Sequence, residues 1–351
     1  MATDRQTKAM LAICTIILVA AALYLGRSIF APLTFAIFMV AIVWPLQRAL
    51  ETKLPQAVAL LLTLLLTLAV VVAVSSMVTW ALSVERAWLV GHAARFQTIY
   101  AEWARWLEEH EIFVVGPLTE RFDVMWLLRL FQTLVGHINT LVGFAVLAFV
   151  FLMLALMETG DFRERLALAS KQAKGPDFAE VGEEIAAKIR KYMIVRTQMS
   201  VLTGLAVWAW ALFSGLELAP AWGIIAFVVN YIPFIGSFIA TLLPSLFAVA
   251  QFGTLHDSLF VFLGMFAIQF AIGNYLEPLV AGAALSISPL AVVFAVFFFG
   301  FLWGVPGAFL GVPILIAILM LCAHYPSTRW IATLLSGTPK SREPDPDEES
   351  K

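Results

Sequence analysis

Charged side chains are scarce in this chain. Lys and Arg number 22 and Asp and Glu 24 among 351 residues, which is about half the charged share of an average soluble domain. A nucleic-acid-binding face is excluded, because no basic surface exists to neutralise phosphates. Only two cysteines occur, Cys14 and Cys322, and both lie in apolar runs. They are predicted to be small buried hydrophobic residues, with no disulfide and no metal site.

Several catalytic motifs are also missing. The sequence contains no H-E-x-x-H, no G-x-S-x-G and no G-x-x-x-x-G-K-[ST], which are signatures of metalloproteases, serine hydrolases and P-loop nucleotide hydrolases. Intramembrane hydrolysis and nucleotide-driven pumping are therefore disfavoured. The sequence predicts a protein that is not an enzyme and that needs no cofactor. Any driving force is expected to be an ion gradient or the gradient of the substrate itself.

Long uncharged runs are what the chain has in abundance. Each of six runs is near the length of one spanning helix, which needs about 20 apolar residues. These runs are 9–26, 28–47, 54–84, 130–157, 197–216 and 258–276.

Two further uncharged runs are too long for one plain span. The run 218–256 has 39 residues and contains Pro233 and Gly236, and the run 278–328 has 51 residues and contains Gly304, Pro306 and Gly307. The sequence predicts a break at each cluster, because Pro removes a helical N–H and clashes with the preceding turn. Gly311 and Pro313 are expected to interrupt the second run further.

Two arrangements fit each broken run, namely a single kinked span or a helical hairpin that enters the membrane and returns. Hairpins that enter from opposite faces would frame a transport site at the midplane, as in inverted-repeat transporters. Pro and Gly are also common in ordinary membrane helices, where Gly permits close helix packing. The sequence leaves these alternatives open.

Fold class and organisation follow from these runs. We predict an all-α membrane protein with about eight membrane segments, including two Pro/Gly-broken helices or re-entrant hairpins, plus an amphipathic extramembrane helical region. The predicted regions are an N-terminal three-span bundle (1–83), an external amphipathic helical segment (84–136), a fourth span (137–157), a cytoplasmic basic helical loop (158–196), a transport core (197–325) with interrupted segments at 219–251 and 288–322, and a disordered cytoplasmic tail (339–351).

Orientation follows from the basic residues. The loop 158–196 is the richest in Lys and Arg, so it is expected in the cytoplasm together with both termini, and the segment 84–129 is expected outside. Phe96, Tyr100 and Trp103 recur at helical spacing in that outer segment. They predict an amphipathic helix that lies on the membrane or on the bundle, or that binds a partner.

Few polar side chains lie in the apolar runs, and each is a candidate. Gln269, Asn274 and Glu277 are predicted to share a broad helix face, and an ionisable group at membrane depth favours a functional role. Glu277 is alternatively an interfacial residue that ends a helix before Pro278, and Asn230 alternatively makes a helix–helix hydrogen bond. The predicted substrate or ion pathway comprises Asn230, Pro233, Gly236, Gln269, Asn274, Glu277, Gly304, Pro306 and Gly307.

Three motifs resemble the autoinducer-2 exporter family of multipass permeases. N-Y-I-P-F-I-G-S at 230–237 is similar to the family's N-[FY]-I-P-[YF]-I-G-P signature, with Ser237 in place of Pro. G-N-Y-L-E-P at 273–278, followed by the Gly/Pro-rich stretch 304–313, resembles its second signature. I-R-K-Y-M-I-V-R-T-Q at 189–198 resembles the start of its fifth span. The resemblance covers nearly the whole chain and is strongest over 185–322.

The resemblance implies an oligomeric permease of the bacterial inner membrane. Family members export the quorum-sensing signal autoinducer-2, and others exchange sodium for protons. The leading hypothesis is therefore a secondary transporter with alternating access, embedded in the lipid bilayer as a homo-oligomer, that moves a small molecule or a monovalent cation. The alternatives are a passive oligomeric channel and a non-transporting membrane scaffold that acts through 84–129.

Overall fold

The computed structural model describes residues 2–92, 95, 98, 143–158, 178–281, 287–326 and 328–336. Most of the predicted outer segment, including Tyr100 and Trp103, lies outside the described residues. Residues 159–177 of the basic loop, residues 282–286 and the predicted tail 339–351 also lie outside the described residues.

The described residues are helical almost throughout, which confirms the all-α prediction. One antiparallel bridge, between Ile287 and Ser336, is the only β pairing in the described part of the chain. In chain order the helices are α1 (Ala2–Leu25), α2 (Arg27–Glu51), α3 (Gln56–Gly91), α4 (Gly143–Glu158), α5 (Phe178–Phe213), α6 (Ala219–Val229), α7 (Ile235–Phe252), α8 (Leu255–Ala271), a π-helical turn (Ile272–Leu276), α9 (Glu277–Ala281), α10 (Pro289–Trp303), α11 (Val305–His324) and α12 (Arg329–Leu335).

Five of the described helices are long and apolar enough to cross a membrane. They are α2, α3, α7, the continuous helix Leu255–Val280 and α11, and shorter apolar helices occur at Met10–Leu25, Gly143–Glu158, α6 and α10. Large apolar side chains point outward from these helices, such as Leu25 and Phe301, which are 80% and 75% exposed. Cys14 is exposed as well, so the prediction that it is buried was wrong. A membrane helix can present apolar side chains to lipid as well as to a protein core.

The first interrupted segment is a helical hairpin formed by α6 and α7, which we call hairpin one. The rings of Trp222 and Phe247 lie 5.1 Å apart between centroids, and Gly236 lies against the backbone of Val229. Later residues of α7 thus meet earlier residues of α6, which is the register of an antiparallel pair. A single kinked span is excluded for this segment.

The second interrupted segment, α10 and α11, forms hairpin two. Gly307 lies against the backbone of Phe299 and Gly311 against that of Ala295, which again is an antiparallel register. The turn is the single residue Gly304, whose φ of 68° and ψ of −145° favour glycine. Pro313 lies inside α11 without ending it, contrary to the predicted interruption. Membrane helices tolerate such a proline because neighbouring groups can satisfy the freed carbonyl.

The chain divides into two compact units. The first unit comprises Met1–Thr63, Leu147–Ile194 and Val280–Lys351. Its aromatic contacts join α2 to hairpin two, since the ring of Phe309 lies 5.6 Å from that of Phe38 and 6.0 Å from that of Phe35.

The second unit comprises Leu64–Val146 and Val195–Leu279. Its core is one apolar cluster that includes Trp88 of α3, Val207 of α5, Trp222 and Phe247 of hairpin one, and Met265 of α8. Hairpin one is therefore held by three other helices of the same unit.

A proline inside α2 explains one long-range hydrogen bond of the first unit. Pro45 has no N–H to donate to the carbonyl of Ala41, four residues earlier. The Nη1 atom of Arg190, on α5, donates to that carbonyl at 2.9 Å. The guanidinium thus satisfies the acceptor that the proline leaves open.

Removing this donor is expected to destabilise the protein measurably. Arg190→Met should lower the free energy of unfolding by about 1–3 kcal/mol, because the partly buried Ala41 carbonyl loses its partner. In a Pro45→Ala background the same substitution should cost less, because the restored backbone N–H takes the carbonyl. Thermal unfolding of the four proteins in one detergent measures the coupling. Equal costs in both backgrounds would show that Arg190 acts through other contacts.

Candidate functional site

The tip of hairpin one is a strained turn that brings a buried amide against α5. Asn230, which caps α6, is 4% exposed, and its Nδ2 donates to the Ser200 hydroxyl at 3.3 Å. Pro233 follows in the turn, and Phe234 adopts a φ of 62°, which is uncommon for a bulky residue. Gly236, the second residue of α7, lies against the backbone of Val229, where a Cβ would not fit.

A second hydrogen bond joins the same turn to α5, and two glycines permit the approach. The hydroxyl of Tyr231 donates to that of Thr197 at 3.1 Å. Further along, a Cβ on Gly204 would lie 2.9 Å from the carbonyl of Gly223, and a Cβ on Gly223 equally close to the carbonyl of Gly204. Such small residues let membrane helices pack backbone to backbone. The glycines thus set how closely the hairpin approaches α5.

An ion pair lies one residue before Thr197. The Nη1 atom of Arg196 lies 2.7 Å from Oε1 of Glu277. The Arg196 side chain is 4% exposed and that of Glu277 32%. Burial of the guanidinium weakens solvent screening, so the Coulombic attraction within this pair is stronger than in a surface salt bridge.

Six residues share this neighbourhood because one turn of α5, residues 196–200, bonds to both the hairpin and Glu277. We call them the tip cluster. Its members are Arg196, Thr197, Ser200, Asn230, Tyr231 and Glu277.

A π-helical turn positions Glu277. It occupies Ile272–Leu276, and the backbone N–H of Glu277 donates to the carbonyl of Ile272, five residues earlier. The helix then continues through Pro278 to Val280, so the alternative that Glu277 ends a helix before Pro278 was wrong. Such π turns occur often at functional sites.

The same turn divides the polar residues that were expected to share one face. Gln269 is 8% exposed, and its Nε2 has no hydrogen-bond partner among the described residues. Asn274 is exposed, and its Nδ2 donates to the carbonyl of Phe270 at 3.1 Å. Gln269 and Glu277 thus turn towards protein and Asn274 turns away, because the extra residue of the π turn shifts the helical period.

The remaining predicted pathway residues lie in hairpin two of the first unit, with Gly304 as its turn and Pro306 and Gly307 in the first turn of α11. Pro306 lies at the start of α11, where its missing N–H is not needed. Trp303, beside the turn, donates from Nε1 to the carbonyl of Leu23 at 3.1 Å. This hydrogen bond fastens the turn to the end of α1.

A family model described as an AI-2E family transporter matches residues 13–327 of the chain. The chain belongs to the AI-2E transporter family. This confirms the family resemblance inferred from the three motifs, and a transporter family fits the helices that are long and apolar enough to cross a membrane.

Individual relatives of this AI-2E family member are bacterial. The AI-2 transport protein TqsA of Escherichia coli K12 is 35% identical over 148 residues, or 42% of this chain and 43% of TqsA. A Borreliella burgdorferi protein is 29% identical over 214 residues, which are 61% of this chain and 58% of that protein. YueF of Bacillus subtilis is 22% identical over 307 residues, which are 82% of this chain and 81% of YueF. The last two are named provisionally as transport proteins. The chain spans about half the length of the first two relatives.

Two ionisable residues of this AI-2E family member were missed as site residues. Arg196 and Glu85 were interpreted as charges that bound the apolar runs 197–216 and 54–84, yet both are buried, at 4% and 1% exposure. Their sequence signal is a charge directly beside a long uncharged run. In the described part of the chain no three His, Cys, Asp or Glu side chains form a group that could hold a metal ion.

Proposed function

We propose that this protein is a multipass secondary transporter of the bacterial inner membrane and that the tip cluster lies on its pathway. The observation that supports this most is the ion pair of the buried Arg196 with the half-buried Glu277, beside the tip of a broken-helix hairpin. A buried pair adds little to stability, because desolvation offsets its Coulombic gain. Ionisable groups at membrane depth mark ion and substrate pathways.

The pair acts as an exchangeable contact. Glu277 binds Arg196 in one state, and in the other it binds a sodium ion or a proton, which releases Arg196. Thr197 and Ser200 follow Arg196 on one helical turn and hold Tyr231 and Asn230, so a shift of this turn opens or closes the hairpin tip. Two discrete arrangements of this kind are what alternating access requires.

The proposed transport is export of a small molecule or exchange of sodium for protons. The name of TqsA as an AI-2 transport protein supports the first, and a single exchangeable carboxylate supports the second. The remaining pathway residues are Pro233, Gly236, Gln269 and Asn274, with Gly304, Pro306 and Gly307 of hairpin two. We propose a homo-oligomer with both termini in the cytoplasm.

Expression of this protein in cells tests small-molecule export and sodium–proton exchange separately. Cells that lack their own exporter should release more autoinducer-2 into the medium when they express this protein. Inverted membrane vesicles should alkalinise or acidify when sodium is added, as read by an internal pH dye. The reference is the double variant Arg196→Ala/Glu277→Ala, expressed at the same protein level. The transport proposal is wrong if the wild type changes neither the released autoinducer-2 nor the vesicle pH relative to this variant.

Asn230 should contribute less than the ion pair. Asn230→Ala removes one hydrogen bond, worth about 0.5–1.5 kcal/mol, so flux should fall by about tenfold or less. Ser200→Ala removes the same bond from the other side and is the matched control. Equal losses would make Asn230 a helix–helix contact only. A clearly larger loss for Asn230→Ala would place its amide on the substrate path.

The orientation can be read by labelling single cysteines, in a Cys14→Ser/Cys322→Ser background, with an impermeant maleimide. Glu109→Cys and Asp257→Cys should react from outside, and Lys174→Cys and Ala284→Cys only after permeabilisation. This follows because hairpins return to the face they enter, and the basic loop is cytoplasmic. Reaction of Lys174→Cys but not Glu109→Cys from outside would invert the whole topology.

A further inference from the structure

Glu85 is a carboxylic acid side chain buried without a partner. It lies on α3, is 1% exposed, and neither carboxyl oxygen has a hydrogen-bond partner among the described residues. The transport pathway proposed above does not use it, and it lies outside the region of strongest family resemblance, 185–322.

The surroundings of Glu85 are apolar. Ala81, Trp88 and Leu89 lie one turn away on the same face of α3, and all belong to the buried cluster of the second unit. The ring of Trp88 lies 4.0 Å from that of Phe247 on α7. The indole N–H groups of Trp210 and Trp222, on α5 and α6, also lack partners in the part of the chain that the structure describes.

No other charged side chain in the described part of the second unit forms an ion pair with Glu85. Glu217, in the connection before α6, accepts from Trp88 Nε1, and the His92 ring stacks on Trp88 at 4.2 Å. On α8, His256 and Asp257 pair with each other and are exposed, and Glu277 pairs with Arg196 of α5. Arg86 and Arg95 of the α3 region are exposed.

A proton is the ligand that this environment accepts. A bare carboxylate buried without a partner is far more costly than the neutral acid, and a proton adds no volume to a packed interior. Sodium would need several oxygen ligands, whereas the neighbouring side chains are aliphatic and aromatic.

We propose that Glu85 is a proton-binding site and that protonation of its carboxylate is coupled to transport, in addition to the exchange at Glu277. In this step the carboxylate gains one proton and becomes a carboxylic acid, so one negative charge is lost and no other bond changes. The site deepens the proposed function and rests on it for the coupling. Glu277 pairs with Arg196, next to the α5 residues that bond to the tip of hairpin one, whereas Glu85 lies one turn before Trp88, whose ring contacts Phe247 about 18 Å along α7 from the tip.

The test uses the full-length protein and the isosteric variant Glu85→Gln. Infrared spectroscopy in lipid, without any substrate, should show the carbonyl stretch of a buried protonated acid that disappears in Glu85→Gln. Proteoliposome flux in that variant should lose its response to a proton gradient. Glu217→Gln is the matched control, because it removes an exposed carboxylate that contacts Trp88. It should keep both signals.

The outcomes separate this proposal from the proposed function. If wild-type flux responds to a proton gradient and Glu85→Gln responds equally, the Glu85 coupling is wrong and the transporter stands. If the acid band is unchanged in Glu85→Gln, the proton site is wrong. If the wild type moves neither ion nor solute, the proposed function fails, whereas loss of the band in the variant still supports the site. Thermal unfolding of Glu85→Gln should match wild type, because the amide is as neutral as the acid.

Discussion

Replacing Glu277 by Gln is expected to abolish ion-coupled flux while the protein still inserts and assembles. Gln keeps an oxygen that accepts from Arg196 but cannot bind a proton or attract a cation, so the exchange step is lost. Asp257→Asn is the matched control, because it neutralises an exposed carboxylate at the other end of the same continuous helix, Leu255–Val280. Flux in proteoliposomes at several pH values measures the effect. Normal flux with unchanged pH dependence in Glu277→Gln would reduce Glu277 to a structural partner of Arg196.

Stability separates the structural from the functional part of this effect. Removal of one partner, as in Glu277→Ala, leaves the charge of the buried Arg196 uncompensated. The free energy of unfolding should therefore fall by about 3–5 kcal/mol. A second substitution, Arg196→Met, should restore most of that stability, because no unpaired charge remains. It should not restore coupled flux. Thermal unfolding of the two single variants and the double variant gives the coupling energy. Recovery of flux in the double variant would show that the ion pair only holds the fold.

Replacing Gly236 by Ala is expected to disrupt hairpin one. The new Cβ would lie 2.9 Å from the Cα of Asn230 and closer still to the Val229 carbonyl, and backbone atoms cannot yield as a flexible side chain can. Overpacking of this kind costs about 1–3 kcal/mol or more, and the distorted turn would also displace Asn230 and Tyr231 from α5. Thermal unfolding and flux should therefore both fall.

The matched control for this substitution is Gly182→Ala. Gly182 lies in α5, and a Cβ there meets nothing within 4 Å. That variant should be unchanged or slightly more stable, by up to about 1 kcal/mol, because Ala favours the helix. If Gly236→Ala and Gly182→Ala are equally stable, the turn of hairpin one can accept a Cβ and the predicted clash does not occur.

The sequence predicts the helices well because the bilayer imposes length and hydropathy on every span. It also predicts the two breaks, since Pro233 and Gly304 fall in the turns of the hairpins. It cannot choose between a hairpin and a kinked span, because run length fits both. Only the antiparallel register, such as Trp222 against Phe247, decides that question.

The polar site is harder to predict for two physical reasons. A charge beside an apolar run has the same sequence signal whether it faces water or protein, so Arg196 and Glu85 were interpreted as boundaries. Asn274 was placed with Glu277 on the assumption of a regular helical period, and one extra residue in the π turn shifts that period. Burial of a charge and local helix geometry both depend on tertiary packing.

The most direct test of the transport proposal is flux through the purified full-length protein in proteoliposomes. Autoinducer-2 and radioactive sodium are measured under a sodium gradient, under a proton gradient and under none. The account predicts that flux of one of them is accelerated by an ion gradient and that the coupled ion moves in fixed proportion to it. Equal flux with and without gradients would establish a passive channel. Flux no higher than that of protein-free vesicles would favour a non-transporting scaffold. Either result would contradict the account.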